Sequence, residues 1–116
     1  MLSKENRLIK KADFARVQRF GQRFFSRGLC MSVIQNEKKT IRAGFVVSSR
    51  FSKKATERNR IKRLLREIFR QELPRMESTA DVVIFAKKAA GRPDNYENTR
   101  KAMAELLQKS GLRRKK

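Results

Sequence analysis

Hydrophobic residues recur along this chain with two different periods, and the two periods divide it into strands and helices. Short runs of apolar, β-branched and aromatic residues predict four strands, at residues 23–26, 29–35, 41–48 and 81–86. Helical spacing of apolar residues predicts three longer elements, at residues 12–20, 52–72 and 94–111. The order αβββαβα predicts an α+β domain in which helices pack on a small central sheet as a two-layer sandwich.

Glycine, serine and proline residues indicate where some of the helices begin and end. Gly21 stands where a left-handed residue ends a helix, and Ser52 is a candidate N-cap for the long helix that Pro74 stops. Gly44, inside a strand, predicts either a bulge or a close approach of another group to the backbone.

The last helix is expected to bury one apolar face, formed by Tyr96, Met103, Leu106 and Leu107.

The segment at residues 58–70 is both strongly basic and completely amphipathic. At about 100° per residue, one side of the helix carries apolar residues at i, i+3, i+4, i+7 and i+8, namely Ile61, Leu64, Leu65, Ile68 and Phe69. The opposite arc, roughly 60° wide, carries Asn59, Arg63, Arg66 and Arg70. The pattern therefore predicts a helix that is anchored by its apolar face and presents a fixed row of guanidinium groups.

Charge is the strongest signal in the composition. The chain has 116 residues, with 31 Lys and Arg against 11 Asp and Glu, and a formal net charge of +20. The length suits a single domain, 1–116, with an ordered core at about 7–110 and a basic tail at 111–116. So large a charge strains a compact fold through self-repulsion, and a polyanion relieves that strain. Nucleic acid is therefore the expected partner.

Two interpretations of the basic row are open from the residues alone. A solvated helix face is the usual fate of a charge run, although such a face commonly mixes signs to gain i, i+4 pairs. This face has Glu67 and few other acids, which favours an external anion. Arginine suits that role because its planar fork contacts phosphate oxygens in pairs. Asn59 fits equally as a polar residue of the first turn or as a reader of RNA, since an amide both donates and accepts.

The composition excludes several common kinds of catalytic and metal site. Histidine is absent and Cys30 is the single cysteine, which excludes a disulfide, the usual zinc ligand sets and a His-based nucleophile pair within this chain. Cys30 lies in an apolar run and is expected to be a small core residue. Acids such as Asp81 and Glu72 are scattered, with solvation or capping as their expected roles. No apolar run has the length of a membrane span, and the first residues lack a signal-peptide pattern, so a cytoplasmic location is expected.

Several segments resemble one known family. The most specific is R-N-R-I-K-R-L-L-R at residues 58–66. Further similarity lies in Phe14, Val17 and Gly21, in the pair Ser26 and Arg27, and in residues 44–50 and 82–90. Together these segments resemble the bacterial ribonuclease P protein component, in collinear order over residues 7–109. Two features depart from the family pattern: Gln18 replaces a common second aromatic residue, and the loop at residues 49–57 is one residue longer and lacks a glycine.

The resemblance implies a fold and a function. Strand 41–48, helix 52–72 and strand 81–86 would form a βαβ unit with a left-handed crossover like that of one ribosomal-protein domain, against the general right-handed rule. The family's protein is the non-catalytic subunit of an endoribonuclease whose RNA cleaves precursor tRNA. Its partners would be ribonuclease P RNA and the 5′ leader of precursor tRNA, with no obligate protein partner, no membrane and no cofactor on the protein. Mg²⁺ is expected at the active site of the RNA.

The resemblance also implies two RNA-binding surfaces. The first would dock the catalytic RNA through Lys53, Lys54, Arg58, Asn59, Arg60, Lys62, Arg63 and Arg66. The second would be a cleft between the first helix and the open sheet face, which holds the tRNA leader through Phe14, Arg27, Ser48, Arg50, Lys87 and Lys88. Phe14 would either stack on a base or pack in the fold, and such leader contacts tolerate sequence changes. The alternatives are a ribosomal or structural RNA-binding protein without a processing role and an architectural DNA-binding protein.

Overall fold

A computed structural model of the chain describes residues 3–38, 40–76, 79–86 and 96–112. Within them lie four strands: β1 (Gln22–Ser26), β2 (Leu29–Gln35), β3 (Arg42–Val47) and β4 (Ala80–Ala86). Three α-helices accompany the strands: α1 (Lys11–Phe20), α2 (Ala55–Glu72) and α3 (Tyr96–Lys109). Short 3₁₀ turns lie at Lys4–Asn6 and Leu73–Arg75. The predicted α+β class and element order are confirmed, and the predicted basic tail beyond residue 112 lies outside the described residues.

The four strands form one mixed sheet in the order β1-β2-β4-β3. β1 and β2 form an antiparallel hairpin, β2 and β4 are antiparallel, and β3 and β4 are parallel. β4 lies between two neighbours because its sequence, ADVVIFA, lets both of its faces be buried, as they are at six of its seven residues. α2 connects the parallel strands β3 and β4, so the predicted βαβ unit is confirmed. The left-handedness of its crossover stays a prediction.

Two residues, Arg27 and Gly28, connect β1 to β2. Both have positive φ angles, 48° for Arg27 and 84° for Gly28, as the two central residues of a type I′ turn do. Glycine adopts such angles without strain, whereas Arg27 is held in a region that side chains seldom occupy. The short turn fixes the register of the hairpin, in which Ser26 pairs with Leu29 and Phe25 with Cys30.

The main hydrophobic core lies between one face of the sheet and helices α2 and α3. Met31, Val82 and Ile84 contribute to the sheet side of this core. Four of the five predicted apolar residues of α2 are buried there with at most 1% exposure, namely Ile61, Leu65, Ile68 and Phe69, and Leu64 packs against the core while partly exposed. Phe45 of β3 packs edge-on against Phe69, with ring centroids 5.7 Å apart. Each large side chain buried in this way contributes about 1.5–3 kcal/mol, so the interface fixes α2 firmly on the sheet.

Helix α1 packs on the opposite face of the sheet. Val17 is fully buried there in a second cluster with Leu8 and Val83. The ring of Phe14 lies on the backbone of Gly44, in the place that a Cβ would occupy. Gly44 is thus the predicted close approach, and its regular parallel pairing with Val83 shows that no bulge is present there. The sheet with α2 and α3 forms the two expected layers, and α1 adds a partial third layer because Phe14 and Val17 give it an apolar side of its own.

The first helix ends at Gly21 as predicted, but the predicted left-handed conformation of Gly21 and the predicted N-cap of α2 are both wrong, for reasons of local geometry. Gly21 follows α1 with a φ of −74°, outside the left-handed region. A glycine is required there because the carbonyl groups of Val17 and Val33 leave no space for a side chain. The N-cap position of α2 is Lys54 and not Ser52. The hydroxyl of Ser52 instead accepts a hydrogen bond from the Lys54 N–H, at 3.2 Å, and so stabilises the turn that precedes the helix.

The predicted inner face of α3 is correct except at Tyr96. Met103, Leu106 and Leu107 are fully buried, whereas Tyr96 is 41% exposed. The Tyr96 hydroxyl donates to the side chain of Gln71, at 2.6 Å, and so ties the start of α3 to α2. At the other end, Gly111 adopts a left-handed φ of 79°. The N–H of Leu112 beyond it donates to the carbonyl of Leu107. The helix therefore ends at a left-handed glycine, as predicted.

Candidate nucleic-acid interface

The outer side of α2 presents cationic side chains to solvent. Burial of the apolar side fixes the rotation of the helix, so Asn59, Arg60 and Arg63 are exposed and Arg66 is partly exposed. Within the part of the chain that the structure describes, neither Arg63 nor Arg66 forms an ion pair with an acid. Like charges about one turn apart repel each other. The structure therefore places the predicted row on an accessible surface, with its charge uncompensated at these two arginines.

Arginines near the two ends of α2 have partners inside the chain. The guanidinium of Arg58 is partly buried and donates to the backbone carbonyl of Ser52, at 2.9 Å. Arg58 therefore ties the preceding loop to the helix in addition to contributing charge. Arg70 pairs with Glu67 one turn away, and the hydrogen bond from Arg70 lowers the pKa of Glu67 below its usual value. The uncompensated charge thus lies in the middle of the helix.

Further positive charge surrounds the first turn of α2. Lys53 and Lys54 are exposed immediately before the helix, and Arg50 is exposed in the turn that precedes them. Lys62 is partly exposed on the helix itself. The start of a helix carries the positive end of its dipole, so lysines are unfavourable there unless an anion lies close by. A phosphate at this position would be attracted by the ammonium groups and by the backbone N–H groups together.

The other face of the sheet is covered only in part by α1. A row of paired residues crosses all four strands on this face: Phe25, Cys30, Phe85 and Val46. Phe25 is 62% exposed, and Phe85 and Val46 are partly exposed. Phe14 of α1 stands beside this row. We call the surface formed by these five residues the sheet cleft.

The structure brings some of the predicted leader-binding residues to the sheet cleft. Phe14 is partly buried and uses its ring to pack on the sheet. Ser48 follows β3, and its N–H donates to the carbonyl of Ala86 at 3.2 Å. The Ser48 hydroxyl oxygen is buried and has no hydrogen-bond partner among the described residues. Arg50 is exposed in the next turn. The predicted contacts of Lys87 and Lys88 lie outside the described residues.

Arg27 is held away from the sheet cleft. It lies at the tip of the β1–β2 hairpin, with its guanidinium 3.4 Å from the carboxylate of Glu105 on α3. The hydroxyl of Ser26 donates to the same carboxylate, and the hydrogen bonds from Ser26 and Arg27 lower the pKa of Glu105. α3 packs on the face of the sheet opposite to α1. Arg27 therefore turns towards the other side of the hairpin, which the sequence did not indicate.

A buried charge network lies beneath α1, and sequence reasoning missed it. Asp81 of β4 is fully buried and not solvated, so its expected role is wrong. Its carboxylate accepts two hydrogen bonds from Arg42 of β3, at 2.7 and 2.8 Å, and one from Asn36 at 2.7 Å. Arg16 of α1 also pairs with this carboxylate. The sequence offered one sign of this network, since Asp81 is an acid at the edge of an apolar run. The parallel register then places Arg42 directly opposite Asp81.

The network determines the ionisation of Asp81. Burial by itself raises the pKa of a carboxyl group. Hydrogen bonds from Arg42 and Asn36, together with the positive charges of Arg42 and Arg16, outweigh burial and lower the pKa of Asp81 below its ordinary value. The carboxylate is therefore ionised in the folded chain, and Arg16 ties α1 to the sheet at a point separate from its apolar contacts.

The groups that these surfaces offer are positive charges, amide and guanidinium donors, and aromatic rings. In the ranges that the structure describes, no three His, Cys, Asp or Glu residues are grouped as metal ligands would be. None of the described helices combines the length and the apolar character needed to cross a membrane. Cys30 is 7% exposed, which confirms it as a small core residue.

The fold and its charged helix define a class: a small, highly cationic α+β protein in which the helix of a βαβ unit carries a row of exposed arginines. Comparison with known proteins identifies the family within this class. A family model described as ribonuclease P matches residues 2–111. The chain therefore belongs to the ribonuclease P protein component family, as its sequence motifs predicted.

Individual relatives are similar over nearly the whole chain. The ribonuclease P protein component of Pseudanabaena is 36% identical over 95% of this chain and 95% of its own. That of Clostridium botulinum is 34% identical over 94% of this chain and 97% of its own. Among solved structures, the RNase P protein of Thermotoga maritima matches with a TM-score of 0.78 at 27% identity, over 89% of this chain and 96% of its own. The RNase P protein of Staphylococcus aureus has a TM-score of 0.83 at 24% identity, over 94% and 98%, and supports the fold.

Replacing Asp81 by asparagine is expected to lower the free energy of unfolding by about 3 kcal/mol, because Arg42 and Arg16 lose a buried ionised partner. Since the folded pKa of Asp81 is lowered, this stabilisation is present at neutral pH and is lost as the pH falls below the ordinary value of about 3.9. Urea unfolding of Asp81→Asn and the wild type should differ at neutral pH and converge in acid.

The matched control for this variant is Asp13→Asn. Asp13 is partly exposed and lies 3.5 Å from Arg42, so its loss should cost less than about 1 kcal/mol. A stability difference between Asp81→Asn and the wild type that stays constant from neutral pH into acid would show that the charge of Asp81 does not stabilise the fold.

Proposed function

We propose that this chain is the RNA-binding subunit of ribonuclease P, which docks on the catalytic RNA and holds the 5′ leader of precursor tRNA. One observation carries the proposal: Arg63 and Arg66 are held, without acidic partners in the described residues, by a helix whose other side is buried. Family membership supports the assembly with ribonuclease P RNA. The two surfaces on opposite faces of the sheet support a division of roles between that RNA and the substrate.

The outer side of α2 is the docking surface for the catalytic RNA. Guanidinium forks bind phosphate oxygens in pairs, and a rigid helix holds several forks in a fixed arrangement. Exposed Asn59 lies between Arg58 and Arg60 and supplies an amide for a phosphate or a base edge. Docking there would release counterions from the RNA. It would also relieve the self-repulsion of a chain with a net charge of +20.

The sheet cleft is the surface for the tRNA leader. A single strand needs aromatic surface for its bases and positive charge along its backbone, and binding of that kind tolerates changes of sequence. Phe14, Phe25 and Phe85 supply aromatic surface. Ser48 and Arg50 supply polar groups where β3 ends, and the family resemblance adds Lys87 and Lys88. Arg27 forms an ion pair with Glu105, so it contributes less to leader binding than the resemblance implied.

The RNA breaks the bond in this proposal, and the protein positions the substrate. The chain contains no histidine, and its cationic surfaces are suited to lowering the repulsion between phosphates of the two RNAs. Mg²⁺ then belongs to the active site of the RNA, where neutralised phosphates nearby would strengthen its productive binding. The assembly would act in the cytoplasm, without a membrane or an obligate protein partner.

Adding this chain to a bacterial ribonuclease P RNA at low Mg²⁺ is expected to restore cleavage of precursor tRNA at the mature 5′ end. The physical reason is that the protein offsets phosphate repulsion that Mg²⁺ otherwise screens. Release of the labelled leader measures the effect, with the RNA alone as control. Binding without restored cleavage would favour a structural RNA-binding protein, and equally tight binding of duplex DNA would favour an architectural DNA-binding protein.

The double variant Arg63→Ala, Arg66→Ala is expected to fold normally and to bind ribonuclease P RNA at least about tenfold more weakly. The slope of log affinity against log salt should fall by about 1 for each phosphate that an arginine no longer neutralises, or about 2 in all. Circular dichroism checks the fold, and filter binding at several salt concentrations measures the slope.

The control for that pair removes the same charge from α3. Arg100→Ala with Lys101→Ala leaves α2 intact, so the affinity and the salt slope should change much less. RNA affinity that is the same in both double variants would remove α2 as the docking surface.

Phe14→Leu tests the leader cleft, because leucine keeps an apolar side chain over Gly44 and removes the aromatic ring. We expect the reconstituted enzyme to bind precursor tRNA about fivefold more weakly, as for a modest loss of base stacking, and to bind mature tRNA as before. Competition binding with both tRNAs measures the difference. Equal losses for the two tRNAs would limit Phe14 to a packing role.

A further inference from the structure

One aromatic ring of the sheet cleft projects into solvent. Phe25 belongs to the edge strand β1 and remains 62% exposed, although aromatic side chains usually bury most of their surface. Its neighbour Phe24 lies on the other face of the strand and packs against the main core. Single exposed apolar residues are common on proteins. The surroundings of Phe25 therefore decide whether it has a role.

The strand register places Phe25 at the end of an apolar row. Phe25 pairs with Cys30, and Cys30 pairs with Phe85, so the two phenylalanines lie on one face, two strands apart. Two strand spacings amount to about 9.5 Å. A base that contacts a ring on each side needs two aromatic spacings of about 4.5–7 Å each, which this separation accommodates. The short side chain of Cys30, 7% exposed, forms the floor between them.

Contacts from α3 hold this part of β1 in place. The carbonyl oxygen of Phe25 accepts a hydrogen bond from Lys109 Nζ, at 2.8 Å. The next residue, Ser26, donates to Glu105 on the same helix. A side chain on a backbone fixed in this way loses less conformational entropy on binding than one on a mobile loop. The restraint therefore favours a binding role for the exposed ring.

Positive charge lies on the same face of β1. Arg23 is two residues before Phe25, so both side chains leave the strand on one side. Arg23 is exposed, and it donates to the carbonyl of Gln18 in α1 at 3.2 Å. It thus lies between α1 and the ring of Phe25. A guanidinium next to an exposed aromatic ring is the combination that proteins use to bind single strands without reading their sequence.

We propose that Phe25, with Phe85 beside it, is a stacking site for one unpaired nucleobase at the β1 edge of the sheet. Arg23 holds the adjoining phosphate. The site rests on the proposed leader-binding function and deepens it, because it carries the single strand from Phe14 across the sheet to β1. The ligand is an unpaired nucleotide, since bases stacked within a duplex have no free face to offer the ring.

The test uses the reconstituted holoenzyme and the variants Phe25→Ala and Phe20→Ala. Phe20 is a matched control because it is 66% exposed but belongs to α1, with the guanidinium of Arg19 5.5 Å from its ring centroid. Phe25→Ala is expected to weaken precursor tRNA binding about 5- to 10-fold, the lower part of the range for one stacked base. Binding of mature tRNA should stay unchanged. Phe20→Ala should change neither affinity, and Phe25→Trp should retain tight binding.

Precursor tRNAs that each carry one abasic leader nucleotide identify the stacked base. With the wild-type protein, one abasic position should weaken binding by the same factor as Phe25→Ala. Combining that substrate with Phe25→Ala should cause no further loss, because the same interaction is removed twice. Losses that multiply at every leader position would overturn the site.

The remaining outcomes separate this site from the function on which it rests. If the wild type prefers precursor to mature tRNA and Phe25→Ala keeps the full preference, leader binding stands and the stacking site is wrong. If Phe25→Ala weakens both tRNAs equally, the residue acts on the fold or on RNA docking, and the site is also wrong. If the wild-type holoenzyme shows no preference for precursor tRNA, the leader-binding function fails and this site fails with it.

Discussion

Burial of the apolar side of α2 against the sheet is the constraint on which the rest of the structure depends. Ile61, Leu65 and Phe69 are almost completely removed from solvent, and each such side chain contributes about 1.5–3 kcal/mol. Repulsion between like charges one turn apart on a helix costs only about 0.2–0.5 kcal/mol per pair. The apolar contacts therefore dominate by about an order of magnitude. The fold can therefore hold Arg63 and Arg66 one turn apart, although neither forms an ion pair with an acid among the described residues.

The opposite face of the sheet is organised by a different force. α1 has only one fully buried apolar residue, Val17. Besides the contact of Phe14 with Gly44, the helix is held by the pairing of Arg16 with buried Asp81. Apolar contact has no preferred direction, whereas a carboxylate that accepts from three donors fixes where each donor lies. A buried ion pair is therefore better suited to setting the position of α1 than to adding stability. The border of the sheet cleft depends on that position.

Local patterns predicted the elements and the charged helix because both follow from spacing within one segment. The rotation of α2 needs only the period of residues 58–70, and the motif there also indicated the family. Asp81 and Arg27 could not be placed, since their partners come from distant segments: Glu105 lies 78 residues from Arg27. Gly21 shows another limit, because the sequence marks a glycine but does not distinguish a left-handed angle from lack of space. The exposure of Phe25 likewise depends on its strand being at the edge.

Strand β4 belongs to both sides of the molecule at once. Val82 and Ile84 face the core beneath α2, while Asp81, Val83 and Phe85 face α1 and the sheet cleft. Successive side chains of a strand point to opposite faces, so even-numbered and odd-numbered residues of β4 contact different sides of the protein. Substitutions at even-numbered positions of β4 should therefore affect the core beneath α2, and substitutions at odd-numbered positions should affect the side of α1 and the sheet cleft.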